Sequence, residues 1–253
     1  MLPSLFICHG GPSIVFEKNE YTAFLKEYSS KIKPKAIVVF TAHWENEITT
    51  ISSINGVYDM IYDFYGFPKE LYALKYLAKG SPEIALKVKS LLENKGIESC
   101  LDEKRGLDHG TWDILYLMYP EAEIPVIQIS VNPFMPMEEQ YKIGEALKPL
   151  AKEDILIIGS GSTVHNLSTL ADVKEPIRWA VEFDDWLVEK IENKNLEELF
   201  SYQNLAPHAK LAVPREEHIV PLFIALGSGQ KKEPKLLHRS YNFGTLTYLA
   251  FEF

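Results

Sequence analysis

Residues 155–165 read ILIIGSGSTVH: four apolar, mostly β-branched residues, a Gly/Ser turn, then a histidine. A short apolar run bounded by glycine reads as a strand buried on both faces. The same arrangement recurs along the chain. Residues 4–8 (SLFIC) lead into His9, Gly10, Gly11 and Pro12, and residues 36–40 (AIVVF) lead into Thr41, Ala42, His43 and Trp44. Residues 126–131 (VIQISV) lead into Asn132 and Pro133. Continuous rather than alternating hydrophobicity points to strands covered on both sides, as in a mostly parallel sheet.

Amphipathic stretches separate these runs. Residues 81–96 are the best framed, with Ser81 as N-cap, Pro82 in the first turn and Gly96 as a stop. Residues 17–32, 137–152 and 177–192 read as further helices. Residues 48–54 and 245–253 alternate polar with apolar and read as half-exposed or edge strands. Residues 207–214 and 227–234 read as loops. The order predicts an α/β fold: a single three-layer domain over residues 1–253, built on a mostly parallel central sheet.

Composition narrows the function classes. With 253 residues, 46% apolar and 24% charged, the chain can bury a sizeable core, which excludes a disordered segment. A net charge of −9 speaks against nucleic acid as a partner, since such binders present a basic face. Two cysteines, Cys8 and Cys100, make no disulfide framework and fit a reducing, cytoplasmic setting. The start MLPSLFICHGGPS lacks a charged leader, and no window approaches the ~18 apolar residues of a membrane span. A homodimer is expected only on base rates.

The seven histidines are the informative residues. His9, His43 and His165 each follow a different buried strand, and open α/β sheets bind ligands outside the carboxyl ends of their parallel strands. Three strands therefore deliver imidazoles to one edge, with the metal site expected at the C-terminal strand ends. A fourth comes from residues 214–222 (PREEHIVPL), read as a helix N-terminus, where Glu216 and Glu217 suit the dipole and a neutral His218 suits a cation. Glu217 and His218 point different ways along the chain, so one of them, His218 before Glu217, is expected to reach the ion. His109, in GLDHGTW, reads as an acid or substrate donor at a turn entering a helix from Thr111; His208 and His238 read as surface residues. The GSGS turn has an alternative reading as a phosphate cradle, though it lacks both G-x-G-x-x-G and a Walker lysine. Wide histidine spacing excludes a zinc finger and leaves Fe(II), Zn, Mn or Ni open. Phe16, Trp44, Trp112 and residues 58–72 (YDMIYDFYGFPKELY) offer walls for a flat ring, or are ordinary packing.

The fragments HGGPSIVFE, TAHWE, YDFYGFPKELYALKY, GLDHGTWDILYLMYP, IPVIQISVN, GSGSTVHNL, EFDDWL and PREEHIVPLFIALG follow one another over nearly the whole chain. In that order they resemble the LigB-type (class III) extradiol dioxygenases, the 4,5-DOPA extradiol-like branch above all. The resemblance implies a non-haem metal enzyme that opens a catechol beside its two hydroxyls with O2, giving a muconic semialdehyde. It implies His9 and His43 as metal ligands, with the third at Glu217 or His218. It also implies His165 as the base, coordinating in some zinc-bound members, and His109 as the group contacting substrate and dioxygen. Fe(II) is expected for activity and Zn(II) in the same site without it. A set of three imidazoles would leave the ion's charge uncompensated. Two other readings stand beside this one: a non-catalytic Memo-like binding protein on the same scaffold, and a zinc hydrolase.

Overall fold

The computed structural model describes residues 1–231 and 233–253. Its sheet holds β1 (Ser4–Cys8), β2 (Ala36–Glu45), β3 (Thr49–Ser52), β4 (Ser99–Asp102), β5 (Val126–Val131), β6 (Ile155–Gly161), β7 (Lys235–Asn242) and β8 (Leu246–Glu252). The spatial order is β4-β3-β5-β2-β6-β1-β8-β7. The four apolar runs form its middle, β5-β2-β6-β1, where every pairing is parallel. The pair β3/β4 is also parallel, while β3/β5, β1/β8 and β7/β8 are antiparallel. The expected α/β domain with a mostly parallel sheet is what the chain forms.

The helices are α1 (Glu20–Ser30), α2 (Lys69–Ala73), α3 (Pro82–Glu93), α4 (His109–Met118), α5 (Met137–Leu147), α6 (Arg178–Glu192), α7 (Leu196–Phe200), α8 (Tyr202–Leu205), α9 (Ala209–Ala212) and α10 (Val220–Ser228). Because strand side chains alternate sides, one run feeds two cores. Leu5, Ile7, Ile37, Val39, Leu156 and Ile158 pack with Tyr21 and Leu25 of α1 and with Trp112 and Leu115 of α4. Phe6, Cys8, Val38, Phe40, Ile155 and Ile157 pack with Val88 of α3, Leu147 of α5, Phe183 of α6 and Phe223 of α10. These are the three layers, and they explain the unbroken apolar runs. None of the described helices is long and apolar enough to cross a membrane.

The helix boundaries follow local chemistry. The Ser81 side chain accepts from the Ile84 amide, as its cap position requires. Residues 17–32 begin their helix only at Glu20, where Asn19 and Thr22 form a reciprocal cap. Residues 137–152 stop being α-helical at Leu147 and tighten into a 3-10 turn over Lys148–Glu153.

Several expectations need correction. The alternating residues 48–54 and 245–253 are not edges: β3 and β8 are wholly buried, covered by the unforeseen outer strands β4 and β7. The polar positions of β3 are satisfied internally; the Thr50 amide donates to Ser130 Oγ at 2.9 Å, and Ser52 Oγ bonds the Tyr58 hydroxyl. The loop at 207–214 contains α9, and α10 runs on to Ser228; Lys232 of the loop at 227–234 lies outside the described residues. The helix expected from Pro214 starts at Val220, after a turn in which the Glu216 carbonyl accepts from the Ile219 and Val220 amides. Glu216 therefore stands ahead of that helix, and its carboxylate takes the Tyr202 hydroxyl at 2.9 Å.

The GSGS segment is not a phosphate-binding turn, since β6 runs through to Gly161. A Cβ built on Gly159 would lie 2.1 Å from the Pro221 carbonyl oxygen, and one on Gly161 would lie 2.1 Å from that of His218. These glycines let residues 218–221 lie directly across the end of β6. Gly161→Ala is expected to cost about 1–3 kcal/mol by forcing backbone apart, read as a lower urea midpoint; an unchanged midpoint would show that the segment yields freely.

Candidate metal centre

The carboxyl ends of the central strands carry the histidines. His9 follows β1 directly, with Gly10 at φ +71° turning the chain beneath Tyr248; a Cβ there would be 2.6 Å from Tyr248 Cε1. His43 lies inside β2, in the stretch after Phe40 where the register with β5 shifts. His165 sits in the loop after β6, and His218 in the turn before α10. His109 is the first residue of α4, two residues earlier than expected.

All five imidazoles meet. Ring centroids are 4.9 Å apart for His9 and His43, 5.2 Å for His9 and His218, and 5.0 Å for His43 and His218. His43 and His109 are 3.9 Å apart, and His165 stacks on His218 at 3.4 Å. Potential ligand atoms of His9, His43 and His109 lie within 4.8 Å of one another, as do those of His165, Glu217 and His218. The turn brings both Glu217 and His218 to the centre, with the Glu217 carboxylate on His218 Nδ1. His208 pairs with Glu182 at 2.9 Å and is half-exposed, as read; His238 is instead partly buried, stacked on Phe24.

The hydrogen bonds fix which ring nitrogen faces the centre. Ser160 donates its one hydroxyl proton to the Gly110 carbonyl, so its oxygen accepts from His9 Nδ1 at 3.0 Å. Asp63 accepts from His109 Nδ1 at 2.8 Å and faces His43 Nδ1 at 3.2 Å. Glu217 accepts from His218 Nδ1 at 3.0 Å. With each Nδ1 carrying the proton, the lone pairs of His9, His43, His109 and His218 are at Nε2. Those of His9 and His43 face one another at 3.1 Å, and His218 Nε2 is buried with no partner. Two lone pairs at that distance, beside a third that is orphaned, repel unless a cation lies among them. The donor set therefore fits a divalent metal, each imidazole backed by a partner that sets its tautomer.

Electrostatics agree. Burial, reinforced by the neighbouring imidazoles, pushes His9 and His218 well below the ordinary histidine range and His165 down to about 4. Burial also lowers His109, against the opposing pull of its bond to Asp63. For Asp63, burial works upward, but the bonds to His109 and His43 outweigh it and hold the carboxyl far below its usual range. Burial raises Glu217.

Asp63 is the residue sequence reasoning missed. It lies within the segment 58–72 read only for its aromatics, and it also accepts the His109 amide at 3.1 Å, anchoring the start of α4. Asp108, fully buried, ties the same region together: it accepts from Thr41 at 2.7 Å and from Arg105 at 3.1 Å, while Arg105 also donates to the His43 carbonyl. Gly110 leaves room for the rings, since a Cβ would come within 2.8 Å of His43. Of the proposed aromatic wall, Phe64 meets the His109 ring at 5.7 Å and leads to Trp112 at 6.2 Å. Trp44 carries Arg105 at 4.8 Å, Tyr58 turns into the core, and Phe16 is exposed.

A cluster of neutral imidazoles at the carboxyl edge of a parallel sheet defines an α/β metalloprotein. Residues 9–253 match the catalytic LigB subunit of aromatic ring-opening dioxygenase. The chain is 42% identical to the 4,5-DOPA dioxygenase extradiol of Beta vulgaris, over 99% of this chain and 96% of that protein. It is 35% identical to the protein of that name in Escherichia coli strain K12, over 92% and 87%. The crystal structure of an uncharacterized Escherichia coli K12 protein superposes with a TM-score of 0.84 at 29% identity, covering 100% of this chain and 99% of that one. The chain belongs to the LigB family and is an extradiol dioxygenase, an enzyme class that depends on a metal.

Two outcomes follow from the site. Between pH ~6.5 and about 4 the unfolded, metal-free chain binds protons that His165 and its neighbours refuse when folded, so stability must fall as pH falls through that window. Thermal unfolding of the metal-free protein is expected to show a Tm that drops below pH ~6.5; a flat profile would contradict the buried neutral rings. Asp63→Asn is expected to weaken Zn(II) binding about 10–100-fold in calorimetry, and unchanged affinity would remove Asp63 from the centre.

Proposed function

We propose that this chain opens the ring of a catechol carrying a DOPA-like side arm. Both atoms of O2 join the two carbons of the bond cleaved beside the diol, and the product is a muconic semialdehyde. The observation carrying this reading is the confluence of five imidazoles in which the Nε2 atoms of His9 and His43 face one another and that of His218 is buried without a partner. His9, His43 and His218 are assigned as ligands of Fe(II), with Zn(II) able to take the same three. Fe(II), when bound, supplies open coordination positions and the redox chemistry by which catechol and O2 react, which Zn(II) lacks.

His218 is chosen over Glu217 because its Nδ1 is turned to the Glu217 carboxylate, leaving Nε2 for the centre. Glu217 and Asp63 then place two negative charges behind an all-imidazole ligand set, which supplies the compensation the sequence left in question.

His165 is the base. Its ring is neutral near pH 7 and partly exposed, so it can take the proton of the second catechol hydroxyl as the diol binds, and its lowered pKa helps return it to the product. His109 is the donor to oxygen during cleavage. Its Nδ1 proton is committed to Asp63, so donation from Nε2 requires a second proton on the ring; the first catechol hydroxyl is its source, and the Asp63 carboxylate is the counter-charge that offsets the burial opposing that form. Phe64, partly buried and edge-on to the His109 ring, offers the aromatic wall beside which the catechol lies, with the buried Trp112 packed behind it.

The test is to load Fe(II) without air, add L-DOPA and a panel of substituted catechols, and admit oxygen. O2 uptake with a yellow ring-opened product is expected, and neither should appear with Zn(II). Absence of both across the panel refutes the proposal. His165→Ala is expected to lower kcat about 10²–10⁴-fold with metal content intact; loss of metal would make His165 a ligand instead.

A further inference from the structure

We infer that Asp184, on α6, is a positioning residue for His165, acting through the Thr163 hydroxyl. This rests on His165 being the base. The His165 ring is the most exposed of those at the β6 and α10 side of the centre, with about a quarter of its side chain open to solvent. Besides the stack on His218 and the Glu217 carboxylate 3.9 Å from its Nδ1, its place depends on how the loop after β6 is held.

Several hydrogen bonds hold that loop, three of them between Ser162 and His165. The Ser162 amide donates to the His218 carbonyl at 2.8 Å, and the His165 amide to the Ala212 carbonyl at 2.9 Å. Between them, Thr163 Oγ1 donates to Asp184 Oδ1 at 2.7 Å. Just beyond His165, the Asn166 side-chain amide donates to the Leu211 carbonyl at 2.8 Å, but the Thr163–Asp184 bond ties the loop side chain to side chain ahead of the ring. The other oxygen, Asp184 Oδ2, accepts from Thr247 Oγ1 of β8 at 2.7 Å, so the carboxylate is fixed from two directions. Thr163, Asp184 and Thr247 are fully buried. A carboxylate with one oxygen on the sheet and the other on the loop sets the distance between them, and a displacement of about 1 Å in a proton-transfer group is enough to cost up to ~10²-fold in rate. The EFDDWL stretch, which the metal centre leaves unexplained, thereby gains a role for its first aspartate.

The test uses the Fe(II)-loaded full-length enzyme with whichever catechol of the panel it turns over fastest. Thr163→Val keeps the side-chain shape and removes the donor; Thr163→Ser keeps the donor. Thr163→Val is expected to lower kcat about tenfold or more, with KM and bound metal per chain unchanged, while Thr163→Ser stays within about twofold of the parent. Asp184→Asn, whose amide can still bond both threonines, is expected to fall between them. All are assayed well below their own melting midpoints. A Thr163→Val enzyme that melts earlier but keeps the parental kcat would reduce the contact to scaffolding and overturn the proposal, as would equal losses in the valine and serine variants. His165→Ala is run alongside. If it retains turnover, the base assignment fails and the positioning role with it; if it is inactive while Thr163→Val is not, the positioning role alone fails.

Discussion

The mutual repulsion of imidazole lone pairs crowded at one sheet edge is the constraint on which the rest of the architecture depends. His9 and His43 aim Nε2 at each other, and His218 aims its own into the same space without a partner. Such an arrangement does not persist by packing alone. It is imposed by what each ring bonds on its far side: a serine hydroxyl already committed to a carbonyl, and two carboxylates. The fold stores a coordination geometry as a pattern of proton positions, and a divalent ion relieves it.

The sheet makes this convergence possible. Parallel strands end on one side, so histidines placed after β1, within the last residues of β2 and after β6 come together without any being near another in sequence. The fourth ring arrives from a different layer, and only the absence of side chains at Gly159 and Gly161 lets its backbone cross the strand end closely enough. Asp108 and Arg105 then tie the His43 backbone to the start of α4, coupling the two histidines that share Asp63.

Much of this was legible in the residues. Continuous apolar runs identified the buried strands, and histidines just after them identified the edge. The outer strands were not legible for opposite reasons: Lys235–Asn242 is polar and half-exposed and carries no periodic signal, and Ser99–Asp102 is only four residues long. Their presence buries β3 and β8, whose alternation marks internally bonded hydroxyls rather than a wet face. Asp63 stayed hidden because its neighbours are aromatic, and a carboxylate among rings suggests no chemistry until the fold sets it between two imidazoles. The roles of Ser160 and Glu217 likewise depend on which nitrogen carries a proton, a property of three-dimensional partners that spacing along the chain does not encode.

The two-residue period of β1 has a consequence for ion choice. Cys8 and His9 are adjacent, yet Cys8 belongs to the core beneath the sheet, and burial pushes its thiol up to about 12. The sulfur beside His9 is thus both turned away and kept protonated. Among the described residues the candidate ligand groups offer nitrogen and oxygen donors, a surrounding that suits borderline and hard divalent ions better than thiophilic cuprous copper.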